Sequence, residues 1–308
     1  MPNWNDTLTE LQADSRGPHD RLRLKYLKQL SSHTGRDILV YYSGWLQKGQ
    51  LAQQFPSEFS IGDADKIGFM TCSKGYKKDR GLDLLLHTPG GDVAATESII
   101  DYLHSLYDGD IRAIIPQMAM SGGTLIAVSC KEVIMGRQSS IGPVDPQIQG
   151  MPAEAIVEEF KRAVAEVKDA PHAIPLWQPI ISKYWPTLIT SCEHAIDWSD
   201  KLLRGSLAKC MLAGDSQEDR EVKLDKIADL LGKQSTSKAH NRHINPEKAI
   251  EIGLKVTMLE DDQKLQDIVL TLHHALMLTL MQTAAVKVIE NHRGIAHVAG
   301  FQQILTAK

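Results

Sequence analysis

The sequence predicts an α/β domain built on a parallel sheet, and three observations predict it. Leu82 to His87, LDLLLH, is a continuous apolar run of the kind carried by a strand buried on both faces. It breaks into glycine at HTPGG and gives way to helical periodicity over Ala94 to Leu106, with Ile99, Ile100, Leu103 and Leu106 on one side. The succession then repeats through IRAIIP, AMSGGT and a short run at Glu132 to Met135 closed by Gly136. Strand, helix, strand, helix, strand at this pitch calls for right-handed crossovers and helices packed on the sheet.

The remaining elements follow in chain order. Asp20 to Leu30 places leucines and Tyr26 at helical spacing among basic residues, an amphipathic arm. RDILVYYSG, Arg36 to Gly44, is rich in β-formers and ends in glycine, so it is a strand. From Pro152 the pattern becomes helical, with helices expected over Pro152 to Asp169, Leu188 to Leu212 and Arg220 to Leu231. Pro171, Pro175, Pro179 and Pro186 punctuate the links. Asn245 to Gly253 is a short helix with proline in its first turn and glycine just past its end. LKVTMLE is a short strand, and Leu265 to Glu290 is expected to be one long helix whose wide apolar stripe needs a covering surface.

Composition narrows the functional classes. With 308 residues, 43% hydrophobic and 23% charged, the chain is an ordinary globular protein. A formal net charge of −4 argues against a nucleic-acid surface, and the basic stretch Lys74 to Arg80 is a solvated loop. Cys72, Cys130, Cys192 and Cys210 are scattered and have no metal-ligand spacing, which fits free thiols in a reducing cytoplasm. The N-terminus lacks a signal-peptide pattern. The apolar run Ile111 to Cys130 is interrupted by Pro116, Gln117, Ser121, Gly122 and Gly123, so no membrane span is expected there.

The glycine turns carry the chemistry. Ends of parallel strands gather backbone donors and helix N-termini. In HTPGG, Gly90 and Gly91 permit angles and close approaches that a side chain forbids. In AMSGGT, Ser121 precedes two glycines and a helix, placing its hydroxyl beside the Gly122 amide, where an oxyanion would form. Taken alone, Ser121 reads as a helix N-cap; together with HTPGG one strand earlier, it reads as part of a site. Neither a P-loop nor a dinucleotide-binding glycine pattern is present. Asp145 in SSIGPVDPQ is either a turn residue or a carboxylate that orients a base. Among twelve histidines, His104, His273 and His274 fall on helices and His87 adjoins the first glycine turn. His240 and His243 lie in a polar loop before a helix and are the candidate bases, between which spacing alone does not choose.

LLLHTPGGDVAATESIIDYL, IIPQMAMSGGTLIAVSCKEVIMG and SSIGPVDPQI, in this order and spacing, resemble the serine dehydrogenase proteinase family, related to the Clp protease subunit and signal peptide peptidase A. The likeness runs through HINPEKAIEIGLKV, roughly residues 36 to 260. It implies a ClpP/crotonase-like fold of repeated ββα units with helical additions. It also implies a serine endopeptidase with no metal or cofactor, acting on peptide or protein substrates and forming homo-oligomers. Carried over by motif, Ser121 is the nucleophile, Asp145 the orienting acid and His240 the base, with Gly90, Gly91 and Gly122 at the oxyanion hole. The family commonly has an acidic residue after that histidine and proline before the isoleucine; Asn241 and His243 stand there, which leaves His243 as an alternative base. A Ser-Lys dyad of the signal peptide peptidase A type would instead use Lys161 or Lys183. A crotonase-like enzyme acting on acyl thioesters and a non-catalytic scaffold are the remaining readings. Many relatives begin with a membrane-spanning helix, and this chain shows none. The expected organisation is a helical arm at 1–35, the peptidase domain at 36–260 and a packing or oligomerisation helix in 261–308.

Overall fold

The computed structural model describes residues 4–12, 17–76, 78–233 and 239–300. Parts of the expected terminal segments (1–3, 13–16 and 301–308), Lys77 of the basic loop and Lys238 before the histidine pair therefore lie outside the described residues.

Five parallel strands form the centre: β1 (Asp37–Ser43), β2 (Leu82–His87), β3 (Ile111–Ile115), β5 (Glu132–Met135) and β9 (Val256–Met258). The hairpin of β10 (Ala285–Asn291) and β11 (Ala296–Gly300) joins β1 antiparallel, giving the order β11-β10-β1-β2-β3-β5-β9. Every residue of β1 and β2 is buried, as their largely apolar sequences lead one to expect, and the burial includes the polar Asp37, Ser43, Asp83 and His87. Strand alternation divides them between two cores. Leu39, Tyr41, Leu84 and Leu86 face one side, and Ile38, Val40, Tyr42 and Leu85 face the other. The first side is covered by α5 (Asp63–Cys72), α6 (Val93–Tyr107), α7 (Gly122–Val128) and parts of α10 (Leu188–Lys209) and α11 (Gln217–Gly232). The second is covered by α2 (Pro18–Thr34) and α13 (Gln263–Gln282).

Beyond the main sheet, short extended segments follow β2, β3 and β5. Strand β4 (Met118–Ala119) pairs in parallel with β6 (Ser140–Ile141), while isolated bridges join Thr88 to Ala119, Ile61 to Gly91 and Ile141 to Ile244. Main strand, short second strand and helix therefore succeed one another, which is the ββα repeat expected of a ClpP-like fold.

The expected helix over Leu265 to Glu290 is corrected. Helix α13 ends at Gln282, Thr283 is extended, and Ala285–Asn291 is strand β10, paired with β1. A strand buried on both faces and a buried helix both read as an apolar stretch, so periodicity alone does not separate them. The stripe of α13 is covered within its own chain: Val269, Leu272 and Leu276 pack with Leu27, Leu30 and Tyr42. Arg23, buried, ties α2 to the sheet through Glu290 at 2.6 Å and to α13 through Thr279 at 2.9 Å.

Residues 45–81, where no helix or strand is expected, hold α3 (Gly49–Gln54), α4 (Pro56–Phe59) and α5, with Ile61 between the last two. In a helical arm, α8 (Ala153–Asp169) and the first half of α10 pack on a small cluster of their own, around Ile156, Val157, Leu188 and Cys192, and α9 (Ile174–Ile181) is tied to α8 by Trp177 Nε1 donating to Glu166 at 2.9 Å. The second half of α10 returns to the main core through Leu203 and Leu207. The short helix α12 (Pro246–Glu251) has the expected terminators: the Asn245 side chain accepts from the Lys248 amide, and Gly253 adopts φ +103°.

Candidate active site

The strand ends converge on Ser121. It immediately precedes α7 with φ 49° and ψ −115°, a conformation uncommon for any residue with a side chain. Its hydroxyl makes no capping hydrogen bond to the helix. An N-cap serine must accept from an amide of the first turn, so the capping account of Ser121 fails. The strained turn is held from both sides. Met120 N donates to Thr88 O at 3.0 Å, and Thr88 N to Met118 O at 3.2 Å. Thr124 Oγ1 donates to Ala119 O at 2.8 Å and accepts from Gly142 N at 3.0 Å. These bonds tie the Ser121 turn to the HTPGG segment on one side and the SSIGPVDPQ segment on the other.

The glycines are explained by close approach. A Cβ on Gly90, which has φ +95°, would lie 2.6 Å from Ser121 Cβ and 2.7 Å from Met120 O. A Cβ on Gly91 would lie 2.3 Å from both the amide nitrogen and the carbonyl oxygen of Ile61. Ile61 holds this segment by donating to Gly90 O at 2.7 Å and accepting from Asp92 N at 2.9 Å. Among the described residues, the amides of Gly91 and Gly122 donate no backbone hydrogen bond, and the Cβ position of Gly122 is 3.4 Å from Gly91 N. Two uncommitted donors thus lie close together beside Ser121. The Gly90 amide is committed, donating to Thr88 Oγ1 at 3.1 Å, so this glycine serves the site through the space it leaves open.

Asp145 is 2% exposed and accepts from His240 Nδ1 at 2.8 Å. A carboxylate has no proton to give, so Nδ1 is the donor and Nε2 is left as an acceptor. Gln147 Nε2 donates to the other carboxylate oxygen at 2.8 Å. The loop around Asp145 is fixed by Val144, whose amide donates to Leu231 O at 2.7 Å and whose carbonyl accepts from Ser199 Oγ at 2.9 Å. Ser121, Asp145 and His240 line one cleft of about 350 Å³, together with Gly90, Gly91 and Trp198.

The other candidates lie elsewhere. His243 is exposed, and its Nδ1 is 2.9 Å from Ser140 Oγ, outside the cleft. Lys161 on α8 and Lys183 after α9 are exposed and do not line it. His87 is fully buried on the opposite side of the sheet, its ring 4.3 Å from that of Trp45, and burial pushes its pKa down to about 3. The Met118 backbone opposes that shift weakly without forming a hydrogen bond of normal geometry to either ring nitrogen. Sequence reasoning missed Ile61, Gln147 and Trp198. Gln147 lies inside the GPVDPQ motif, but its part shows only once Asp145 is seen to need a second donor. Ile61 and Trp198 carry no local signal.

Residues 47–174 match the family model described as ClpP-like SDH-type serine proteinase. Over that stretch the chain is similar to this family. The matched stretch contains Gly90, Gly91, Ser121, Gly122 and Asp145 and ends before His240. The chain is also similar to two uncharacterized proteins of Methanocaldococcus jannaschii. One is 33% identical over 147 residues, covering 48% of this chain and 50% of the relative. The other is 44% identical over 147 residues, covering 48% and 49%. The chain spans about half the length of the curated relatives it matches. Among the described residues, no helix is long and apolar enough to cross a membrane.

Proposed function

We propose that this protein is a serine endopeptidase that cleaves peptide bonds through an acyl-enzyme, with Ser121 as nucleophile, His240 as general base and Asp145 as the group that orients it. The observation that carries this reading is the 2.8 Å bond from His240 Nδ1 to buried Asp145, in the cleft that also holds strained Ser121. In the acylation step Ser121 Oγ attacks the substrate carbonyl carbon while its proton passes to His240 Nε2. Charge then develops on the carbonyl oxygen, which the amides of Gly91 and Gly122 are available to meet. Collapse breaks the C–N bond, and His240 returns the proton to the leaving amine. Water, deprotonated by the same imidazole, then attacks the ester carbonyl and releases the acid with Ser121 restored.

The competing readings have weaker support. Among the described residues no lysine lines the cleft, so a Ser-Lys dyad finds no support there. A thioester enzyme of the crotonase type has no use for the strained serine, and a scaffold leaves both the strain and the Asp145–His240 pair without purpose. The setting proposed is the cytoplasm, in keeping with cysteines that are all free. Homo-oligomeric assembly rests on the family resemblance alone, since the stripe on α13 is already covered.

Replacing Ser121 with Ala tests the assignment directly. The variant is expected to lose peptide hydrolysis and labelling by a fluorophosphonate, a drop of about 10³-fold or more. Labelling that persists undiminished in Ser121→Ala would show that another residue is the nucleophile.

A further inference from the structure

A buried ion pair stands behind the turn that carries Gly91. Lys287 of β10 is 7% exposed and Asp65 of α5 is 5% exposed. Lys287 Nζ donates to the two carboxylate oxygens at 3.0 Å and 2.9 Å, across 222 positions of the chain. Taking two charges out of water is costly, and an apolar pair of similar volume often serves stability as well. What else these two groups hold is therefore the informative point.

They hold the connection between α4 and α5 residue by residue. Lys287 Nζ also donates to Ser60 O at 2.6 Å, and Gly62 N donates to Asp65 Oδ2 at 3.0 Å. Just before them, Ser43 Oγ at the end of β1 donates to Phe59 O at 2.7 Å. Ile61, between the two anchors, is the residue that bridges to Gly91. Its amide donates to Gly90 O, and that carbonyl belongs to the same peptide group as the Gly91 amide. No cis peptide bond occurs among the described residues, so the two ends of that group point in opposite directions. Fixing Gly90 O against Ile61 therefore aims Gly91 N–H away from Ile61. A hydrogen bond accepted at the carbonyl also polarises the amide of the same group and strengthens it as a donor. Capping of α5 accounts for the bond between Asp65 and Gly62. It does not account for a lysine of β10 buried against the same carboxylate and bonded to Ser60 as well.

We propose that Lys287 and Asp65 are positioning residues: their ion pair sets the Ser60–Gly62 segment so that Ile61 aims the Gly91 amide at the oxyanion. The inference rests on the peptidase reading for what that amide does, and on the hydrogen bonds alone for how it is held. Neither Lys287 nor Asp65 lines the cleft, so both act through Ile61 rather than on the substrate.

Asp65→Asn combined with Lys287→Met removes both charges and the bond to Ser60. The matched control is Arg23→Met with Glu290→Gln, which removes the buried ion pair that β10 makes on its other face. Both double variants are expected to unfold at lower urea. Only the first should lower kcat on a peptide substrate, by about 10- to 100-fold, with KM within about threefold of native. The position of the amide is read separately, by NMR. Glycine labelled at its carbonyl carbon and its nitrogen gives a carbonyl-coupled amide only where glycine follows glycine, at Gly91 and Gly123. The Gly91 signal should move in the first double variant and stay in place in the control, with Gly123 as the internal reference. Lys287→Met alone should act in the same direction, and it decides the matter if the double variant does not fold. A native chain that neither cleaves peptides nor takes up a fluorophosphonate at Ser121 would overturn the peptidase reading, and the Gly91 signal would still decide the positioning. An unmoved Gly91 signal in both Lys287 variants overturns the positioning. So does a kcat within about twofold of native in an active enzyme, or an equal loss of kcat in the control.

Discussion

The two sides of the strand ends are built from the same segments and arrive at opposite electrostatic solutions. Strand β2 sends His87 to the α13 side, where its ring meets that of His273, and the turn after it sends Gly90 and Gly91 to the cleft; after β3 the chain passes Gln117 on the α13 side before Ser121 enters the cleft. In the cleft, His240 keeps a third of its side chain exposed and has a buried carboxylate on one nitrogen, so its ring has a counter-charge when protonated. On the other side, His87 and His273 are buried without a carboxylate partner, and burial holds both as neutral rings. A histidine is thus no candidate base merely by adjoining a glycine turn. It must reach solvent or substrate with one nitrogen and a carboxylate with the other.

That contrast is broken most sharply at Asp145. Asn in its place keeps the shape but presents an amide that can donate to Nδ1 and favour the wrong ring tautomer. Asp145→Asn is expected to slow hydrolysis by about 10⁴-fold with little change in KM, measured on a peptide substrate. A loss of less than tenfold would mean that the carboxylate only shapes the loop.

The buried side predicts a stability effect next in size. His87 has a folded pKa of about 3 against an ordinary value of 6.5, so between these values the unfolded chain binds a proton that the folded chain does not. Its contribution is fully present above pH 6.5 and is lost as pH falls toward 3. Between pH 6.5 and about pH 5 this one residue should remove roughly 2 kcal/mol of stability. His273 and His274, also shifted down by burial, add with the same sign. Urea unfolding across this range should show a steeper loss for the native sequence than for His87→Gln, whose side chain does not titrate. Equal slopes would show that His87 is solvated in the folded state.

Gly90→Ala probes the space between the two sides. The added Cβ meets Ser121 Cβ and Met120 O well inside contact distance, at a backbone angle of φ +95°. A cost of about 1–3 kcal/mol is expected in unfolding experiments. Slower fluorophosphonate labelling should accompany it, because the turn holding Ser121 has to shift. Full labelling with full stability would show that the turn is freer than its hydrogen bonds imply.

Much of the site could be read from sequence because its motifs are local. HTPGG, AMSGGT and GPVDPQ each mark a strand end where backbone must pass close to backbone, and such turns tolerate few residue types. What could not be read depends on contacts made at a distance. Ile61 matters because it lies alongside Gly91, yet nothing in SEFSIGDAD announces an extended residue between two helices. The β10 hairpin was hidden for the opposite reason: buried on both faces, its apolar residues extend the stripe of α13 without a visible break. His240 and His243 share one short loop. Only the fold decides which faces Asp145, since the choice depends on how the loop meets Ile141 through Ile244.

The smallest expected effect concerns the residues that the fold sets aside. Ile244 N donates to Ile141 O at 2.9 Å and Ile141 N to Ile244 O at 3.0 Å, which pins the loop and points His243 at Ser140 Oγ rather than into the cleft. Lys161 and Lys183 belong to the arm around α8 and α9, which packs on its own cluster. His243→Ala, Lys161→Ala and Lys183→Ala should therefore each keep the hydrolysis rate within about twofold and cost no more than about 0.5 kcal/mol of stability. His240→Ala alone among these positions should remove activity by orders of magnitude. A large loss in either lysine variant, with His240→Ala near the native rate, would transfer the proton to a dyad and require the arm to close over the cleft. A loss confined to His243→Ala would require the loop to turn about the Ile141–Ile244 bridge instead.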